Sequence, residues 1–228
     1  MIDIVIPYRD SKTDELKYTL RSIEKNFREC RIIISGDIPD WVQNVITMPR
    51  EQTRGAQLDC ELNIRQALPY LSDEFYLWND DFILLRPVQD VPNYHEGDID
   101  LVIKKKKAWV ITSKSAKSLK NTADYLNEKG FSNSVAYTLH IPVKYNRDLY
   151  QECSDMLLPT LEKKTILPRT VYGNIYGECS GLHHDVKIYK ADQDLPDDDL
   201  VATWEYTWSG IAGQKIREMF CQKSKYEI

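Results

Sequence analysis

The segment Phe75-Tyr-Leu-Trp-Asn-Asp-Asp81 joins a run of four large hydrophobic residues to three polar ones. A short apolar run that stops at turn residues is typical of a buried strand in a parallel sheet. In open sheets of this kind, ligands bind just beyond the carboxyl ends of the strands. The segment therefore predicts a strand that delivers Asn79, Asp80 and Asp81 to a binding edge.

The residues before this segment predict alternating strands and helices. Residues 2–7 and Arg31–Asp37 read as strands, and Val45–Met48 reads as a third, shorter strand. Two apolar helical faces are also predicted. The first follows residues 2–7, is expected to be capped by Ser11, and comprises Leu16, Leu20, Ile23 and Phe27. The second lies between Met48 and Phe75 and comprises Cys60, Ile64, Ala67, Leu68 and Leu71. This alternation predicts an α/β fold with a mostly parallel, twisted, Rossmann-like sheet flanked by helices.

Three polar clusters each follow a predicted strand: Tyr8-Arg9-Asp10, Ser35-Gly36-Asp37 and Asn79-Asp80-Asp81. Because parallel strands end at the same edge, we expect the three clusters to converge. Asp37 is placed to accept a hydrogen bond from a nucleotide base or ribose. Its alternative role is to form the turn beside Gly36.

The remainder of the chain predicts further elements of mixed type. Strands are expected at Asp98–Ile103, Ala108–Thr112 and Val135–Val143, and helices at Ala116–Lys129, Tyr145–Leu161 (broken by Pro159) and Ile211–Phe220. Trp204, Tyr206 and Trp208 have the spacing of one strand face, which either joins the core or stacks on a sugar ring. We expect a single domain over residues 1–228, with a nucleotide-binding half at about 1–90 and an acceptor-side half at about 91–228.

Composition narrows the classes of function. The net charge of -5 argues against a general nucleic-acid binder, although the lysine run 104–107 could approach a phosphate-bearing ligand or simply be solvated surface. No apolar run approaches the roughly 20 residues that a membrane span needs. Five scattered cysteines, and a start without a basic leader, predict a cytoplasmic protein without disulfides or a signal peptide.

The adjacent carboxylates of Asp80 and Asp81 indicate a metal site. Two like charges a few ångströms apart raise each other's pKa, and a divalent cation between them removes that conflict. Carboxylate oxygens suit Mn²⁺ or Mg²⁺, which keep open positions for phosphate oxygens. The alternative is that the pair only ends a strand and forms the next turn, as Asp often does.

The order of these elements resembles a known superfamily. The stretch 54–68 followed by Phe75–Asp81, together with Ile4-Val-Ile-Pro-Tyr-Arg9, resembles the GT-A fold of nucleotide-sugar glycosyltransferases. The stretches 15–24, 38–42 and 79–82 are also similar to the second conserved region of Stealth proteins, which transfer sugar-1-phosphate. His140-Ile-Pro and Arg169 resemble the Stealth third region. Pro7-Tyr-Arg stands where the first Stealth motif would be, a departure that favours glycosyl transfer.

The resemblance implies a role for particular residues. It places the donor near Pro7, Tyr8, Arg9, Asp37, Arg54, Gly55 and Asn79, the metal on Asp80 and Asp81, and the reaction near Asp81, His140 and Arg169. His184 of the His183-His184 pair is a candidate late metal ligand or an exposed polar residue. His140 is a general base or a core histidine, and Arg9 and Arg169 bind diphosphate oxygens or form surface ion pairs.

The function implied is metal-dependent transfer of a sugar from a nucleotide sugar to an acceptor hydroxyl. The acceptor is open: a glycan, a lipid carrier, a protein or a modified nucleic-acid base. Two alternatives are a Stealth-type sugar-1-phosphate transferase and a non-catalytic module that binds a nucleotide or a sugar.

Overall fold

The computed structural model describes residues 1–108, 113–177 and 180–228, without the side chains of residues 107, 108 and 113. The chain divides into two compact units. The first comprises Met1–Val91, His140–Tyr145 and Val186–Ile228, and the second comprises Pro92–Leu139 and Asn146–Asp185. The first unit is thus assembled from three separate stretches of chain.

Seven strands are formed within the described residues. They are β1 (Ile2–Tyr8), β2 (Cys30–Gly36), β3 (Ile46–Pro49), β4 (Glu74–Leu77), β5 (Phe82–Leu84), β6 (Val143–Asn146) and β7 (Leu200–Ala202). Five of them make one sheet in the order β3-β2-β1-β4-β6, and β5 pairs with β7 in a second sheet.

The first four strands of the central sheet, from β3 to β4 in its order, all run parallel. β1 runs parallel to both β2 and β4, and β2 runs parallel to β3. Ile4, Val5 and Ile6 of β1 are fully buried, as are Ile33 and Ile34 of β2, because helices cover both faces of a parallel sheet. The predicted α/β class and mostly parallel sheet are confirmed.

Eight helices of α type are formed within the described residues. They are α1 (Glu15–Asn26), α2 (Ala56–Ala67), α3 (Ile99–Ala108), α4 (Ser113–Glu128), α5 (Arg147–Leu161), α6 (Pro168–Ile175), α7 (Glu205–Trp208) and α8 (Ile211–Met219).

Helix α1 buries the apolar face that its spacing predicts. Leu16, Leu20 and Ile23 are at most 1% exposed, which places this face in the core of the first unit. The predicted cap at Ser11 is wrong, because the helix begins at Glu15 and Ser11 bonds instead to Thr13.

The predicted strand at Asp98–Ile103 is wrong, since these residues lead into helix α3. The carboxylate of Asp98 accepts hydrogen bonds from the N–H groups of Asp100 and Leu101, which are donors that a helix start leaves unpaired. Ile99, Val102 and Ile103 then pack on α4 at helical spacing. Of the strand predicted at Ala108–Thr112, Ala108 ends α3 and the rest lies outside the described residues.

The predicted strand at Val135–Val143 is also wrong over most of its length. The side chain of Asn174 bonds to both the N–H and the carbonyl of Val135, satisfying groups that a neighbouring strand would otherwise pair. Only Val143 belongs to a strand, β6. Pro159 does not break helix α5, because it lies within the last turn.

The aromatic segment 204–208 is helical rather than extended, so its predicted strand face is wrong. The Thr207 hydroxyl accepts a hydrogen bond from the Trp204 N–H and starts the one-turn helix α7. Trp208 is buried, whereas Trp204 and Tyr206 are 43% and 58% exposed. Among all helices of the described residues, none is long and apolar enough to cross a bilayer.

Candidate functional site

Asp80 and Asp81 lie in a tight turn between β4 and β5. The Trp78 N–H donates to the carbonyl of Val5 at 2.9 Å, which extends the pairing of β1 with β4 to the start of this turn. The Thr19 hydroxyl then donates to the Asp80 carbonyl at 2.6 Å, and the Thr203 N–H donates to the Asp81 carbonyl at 3.1 Å. The backbone of the turn is therefore fixed from two sides.

A third carboxylate joins the pair. Glu15, the first residue of α1, is 5% exposed and accepts hydrogen bonds from the hydroxyls of Thr13, at 2.7 Å, and Thr203. Burial raises the pKa of Asp80 to about 7, and the charges of Asp81 and Glu15 contribute to that rise. Burial likewise raises the pKa of Glu15, with Asp81 adding to the effect. Each acid thus makes ionisation of its neighbours less favourable.

The ammonium group of Lys187 lies near these three carboxylates. Lys187 Nζ lies 3.8 Å from Asp81 Oδ2, and both side chains are only 17% exposed. With the three acids ionised, Lys187 balances one of three negative charges, and uncompensated negative charge is costly at partly buried groups. The oxygen donors of Asp80, Asp81 and Glu15 suit Mn²⁺ or Mg²⁺. The donor chemistry of Asp80 and Asp81 is thus compatible with the divalent cation that the sequence predicts, and metal binding stays a prediction.

Arginines gather around a second buried carboxylate, that of Asp59 in α2. Asp59 is fully buried and accepts hydrogen bonds from Arg9 Nη2 and Arg50 Nη2, both at 2.7 Å, and from the Arg54 N–H at 3.0 Å. Burial raises its pKa, but the Arg50 hydrogen bond and the positive charges outweigh burial and hold the pKa below its usual value. Gly55, with φ of +96°, precedes α2. The guanidinium groups of Arg9 and Arg50 and the backbone N–H of Arg54 thus meet at one buried acid.

The ends of β1 and β2 are joined by close contacts. Asp37 Oδ2 accepts a hydrogen bond from the Asp10 N–H at 2.8 Å, so its carboxylate ties the two strand-end loops together. Gln52 Nε2 donates to the Tyr8 carbonyl at 2.8 Å. Gly36 has φ of +114°, and a Cβ there would lie 2.3 Å from the Tyr8 carbonyl oxygen. Only glycine fits this position.

A cavity of about 410 Å³ opens beside the end of β1. Its lining includes Tyr8, Lys12, Lys17, Trp41 and Trp208. Lys17 Nζ lies 5.1 Å from the centre of the Trp41 ring. The acids Asp10, Asp14 and Glu205 also line it, and the volume lies within the range of about 300–1,000 Å³ that is usual for small-ligand pockets.

The remaining predicted residues lie further along the chain. His140 is half-buried in the first unit and lies in a bend rather than in a strand. Arg169 is half-buried in the first turn of α6 and donates to the Leu139 carbonyl. His184 is exposed in the second unit, where its ring stacks on that of His183 with the ring centres 4.4 Å apart. The catalytic and metal-binding roles of these three residues stay predictions.

Sequence reasoning missed four residues of the site: Glu15, Asp59, Arg50 and Lys187. A signal existed only for Asp59, because it shares one helical face with Asn63, four residues later, and two polar residues at that spacing predict a polar contact in a half-buried helix. Glu15 and Lys187 reach the site through contacts between distant parts of the chain, for which the local sequence holds no pattern.

No protein-family model matches the chain, and no curated protein matches it. A solved structure of galactosyltransferase LgtC, in complex with donor and acceptor sugar analogues, is similar over 98% of this chain and 97% of that chain, with a TM-score of 0.58 and 10% sequence identity. The chain has a GT-A-like fold. A 2-C-methyl-D-erythritol 4-phosphate cytidylyltransferase from Thermus thermophilus is similar over 81% of this chain and 89% of that one, at 9% identity. Its TM-score of 0.38 is too low to indicate a shared fold.

Proposed function

We propose that this protein is a metal-dependent glycosyltransferase that moves a sugar from a nucleotide-sugar donor to an acceptor hydroxyl. One observation carries the proposal. On a GT-A-like fold, the half-buried Asp80 and Asp81 and the buried Glu15 form a carboxylate cluster just beyond the carboxyl ends of parallel strands. Ligands bind at this edge in sheets of the same type.

In this proposal Asp80 and Asp81 hold Mn²⁺ or Mg²⁺, with Glu15 beside them. The ion would stabilise the negative charge of the departing nucleoside diphosphate. The hydroxyls of Thr13 and Thr203 hold the Glu15 carboxylate in place, and Thr19 holds the backbone of the turn. These contacts keep the carboxylates oriented before a ligand arrives.

The donor is proposed to lie along the ends of β1 and β2. Tyr8 and Trp41 line a cavity that is proposed to hold the nucleoside, and Arg9 is proposed to bind the diphosphate that follows it. Pro7 lies in β1 one residue before its end, and Asn79 lies in the turn that follows β4. The proposed donor half comprises residues 1–90 together with Thr203 and Trp208, and the acceptor half is proposed among the remaining residues of 91–228.

His140 is the proposed general base. A neutral imidazole takes a proton from an acceptor hydroxyl at physiological pH. Arg169 donates to the carbonyl of Leu139, the residue before His140, and is proposed to bind phosphate oxygens with its other N–H groups.

The test is a panel of nucleotide sugars incubated with Mn²⁺, with the released nucleotide separated by chromatography. Glycosyl transfer or donor hydrolysis releases a nucleoside diphosphate, and this is the expected product. Release of a nucleoside monophosphate would instead show Stealth-type transfer of sugar-1-phosphate. Saturable binding with no turnover of any donor would show a non-catalytic binding module.

A further inference from the structure

We infer that Asp59 is a positioning residue that holds Arg9 and Arg50 as a clamp for the diphosphate of the donor. The inference rests on the proposed function, which assigns a nucleotide diphosphate to this edge of the sheet. It adds a buried residue that touches no ligand and acts through the two arginines.

The geometry makes Asp59 the centre of a fixed array. Its Oδ1 accepts from Arg50 and its Oδ2 from Arg9 and from the Arg54 N–H, so both oxygens are used. Arg50 is fixed further, because its Nε donates to Asn63 Oδ1 at 2.7 Å. A fully buried carboxylate with these partners cannot turn towards solvent, so it acts as an anchor for the guanidinium groups.

The array leaves positive charge and hydrogen-bond donors at the surface. Two guanidinium groups share one carboxylate, which leaves one net positive charge. Arg9 is 47% exposed, and in the described part of the chain its guanidinium donates only to Asp59. Four of the five N–H donors of an arginine therefore remain for a ligand. A planar fork of this kind matches the oxygens of a phosphate.

The clamp lies on the same edge as the carboxylate cluster. β1 and β4 are neighbours in register at Val5 and Leu77, so Tyr8 and Asp80 follow that pair by three residues each. Arg9 is the next residue after Tyr8. Neighbouring strands lie about 4.8 Å apart, which brings the two strand ends within the span of one diphosphate and its metal.

The chain offers a matched control at the opposite end of the same strands. Asp3 is 1% exposed and accepts two hydrogen bonds, at 2.7 and 2.8 Å, from Arg31, whose side chain is 41% exposed. This pair has the same chemistry and similar burial, but it lies at the amino ends of β1 and β2. Replacing Asp3 therefore removes an equivalent ion pair without touching the clamp.

The experiment measures inorganic pyrophosphate binding by calorimetry in EDTA, which removes any contribution from a metal at Asp80 and Asp81. Asp59→Asn and Arg9→Gln should each weaken pyrophosphate binding about tenfold, as expected for loss of a charged hydrogen-bond partner. The double variant should bind no more weakly than the weaker single variant. Asp3→Asn should lower the melting temperature but keep the affinity of the wild type.

Arg9→Lys separates positioning from charge, because lysine keeps the charge but cannot bridge Asp59 and a phosphate with a planar fork. It should bind pyrophosphate as weakly as Arg9→Gln, and it also decides the matter if Asp59→Asn does not fold. Wild-type affinity in Arg9→Lys, or equal losses in Asp3→Asn and Asp59→Asn, would overturn the inference. Because this measurement needs neither metal nor turnover, it tests the role of Asp59 independently of the glycosyltransferase assay.

Discussion

Lys187 Nζ lies 3.8 Å from Asp81 Oδ2, and the two side chains are shielded from solvent to the same extent. Burial and the neighbouring acids raise the pKa of both Asp80 and Glu15, and the charge of Lys187 offsets only part of that rise. The lysine thus supplies part of the positive charge that the carboxylate cluster requires. The proposed divalent cation would supply the rest.

Replacing Asp81 tests the metal site. Asp81→Ala should abolish Mn²⁺-dependent binding of a nucleotide sugar, because it removes one of the two proposed ligands. The fold should persist, since the residue lies in a turn and its loss relieves repulsion on Asp80 and Glu15. Calorimetry with and without Mn²⁺ measures the effect, and Asp192→Ala, at an exposed position, is the control. Binding equal to the wild type would remove Asp81 from the site.

Replacing His140 tests the proposed general base. His140→Ala should lower turnover by about 10²–10⁴-fold and leave the dissociation constant of the donor nearly unchanged. Steady-state kinetics with acceptor, together with donor binding by calorimetry, separate the two quantities. Near-normal turnover would mean that His140 has only a packing role.

Gly36 should be intolerant of any side chain. A Cβ at this position would lie 2.3 Å from the Tyr8 carbonyl oxygen and 2.7 Å from Asn63 Nδ2. Gly36→Ala should therefore destabilise the protein by about 3 kcal/mol or more, as left-handed backbone alone costs about 1–2 kcal/mol and the clash adds to it. Gly130→Ala is the matched control, with φ of +87° and open space around the new methyl group. Equal losses of unfolding free energy in the two variants would show that the clash is relieved.

The ion pair between Arg21 and Glu227 should make stability depend on pH. Burial raises the pKa of Glu227, but hydrogen bonds from Arg21 and the Ser224 N–H outweigh it and lower the pKa below the ordinary value of 4.5. A carboxylate with a lowered pKa stabilises the fold above its unfolded pKa and loses that contribution as pH falls through the folded pKa. Glu227→Gln should thus cost about 3 kcal/mol at neutral pH.

The difference in unfolding free energy between the wild type and Glu227→Gln should shrink as pH falls below 4.5. Urea denaturation at pH 7, 5 and 3.5 measures it. Glu29→Gln, which replaces an exposed acid just beyond the end of helix α1, should show no comparable change. A difference that does not vary with pH would mean that the charge of Glu227 contributes nothing.

The sequence predicts the parts of this fold that local patterns control. The buried runs of β1, β2 and β4, and the polar residues that follow them, are visible as periodicity and turn chemistry. The strand predicted at residues 98–103 is wrong, because an apolar run of that length suits either a strand or a buried helix. The deciding contact is the cap by Asp98, a side-chain hydrogen bond rather than a hydrophobic pattern.

The site is less predictable than the sheet. The Asp80-Asp81 pair is a local signal. The clamp at Asp59, the third carboxylate of Glu15 and the countercharge of Lys187 all depend on which distant segments meet, and pairings of that kind are chosen by the fold as a whole.

The contacts of helix α1 also bear on the order of events during synthesis. Glu15 bonds to Thr203, 188 residues later, and Arg21 bonds to Glu227, 206 residues later. While a ribosome extends the chain, α1 is made before Thr203 and Glu227. Its buried charged groups therefore lack these partners until the later residues are made. Because contacts between residues so far apart in the chain close slowly, we expect the first unit to finish folding only after Glu227 has been made.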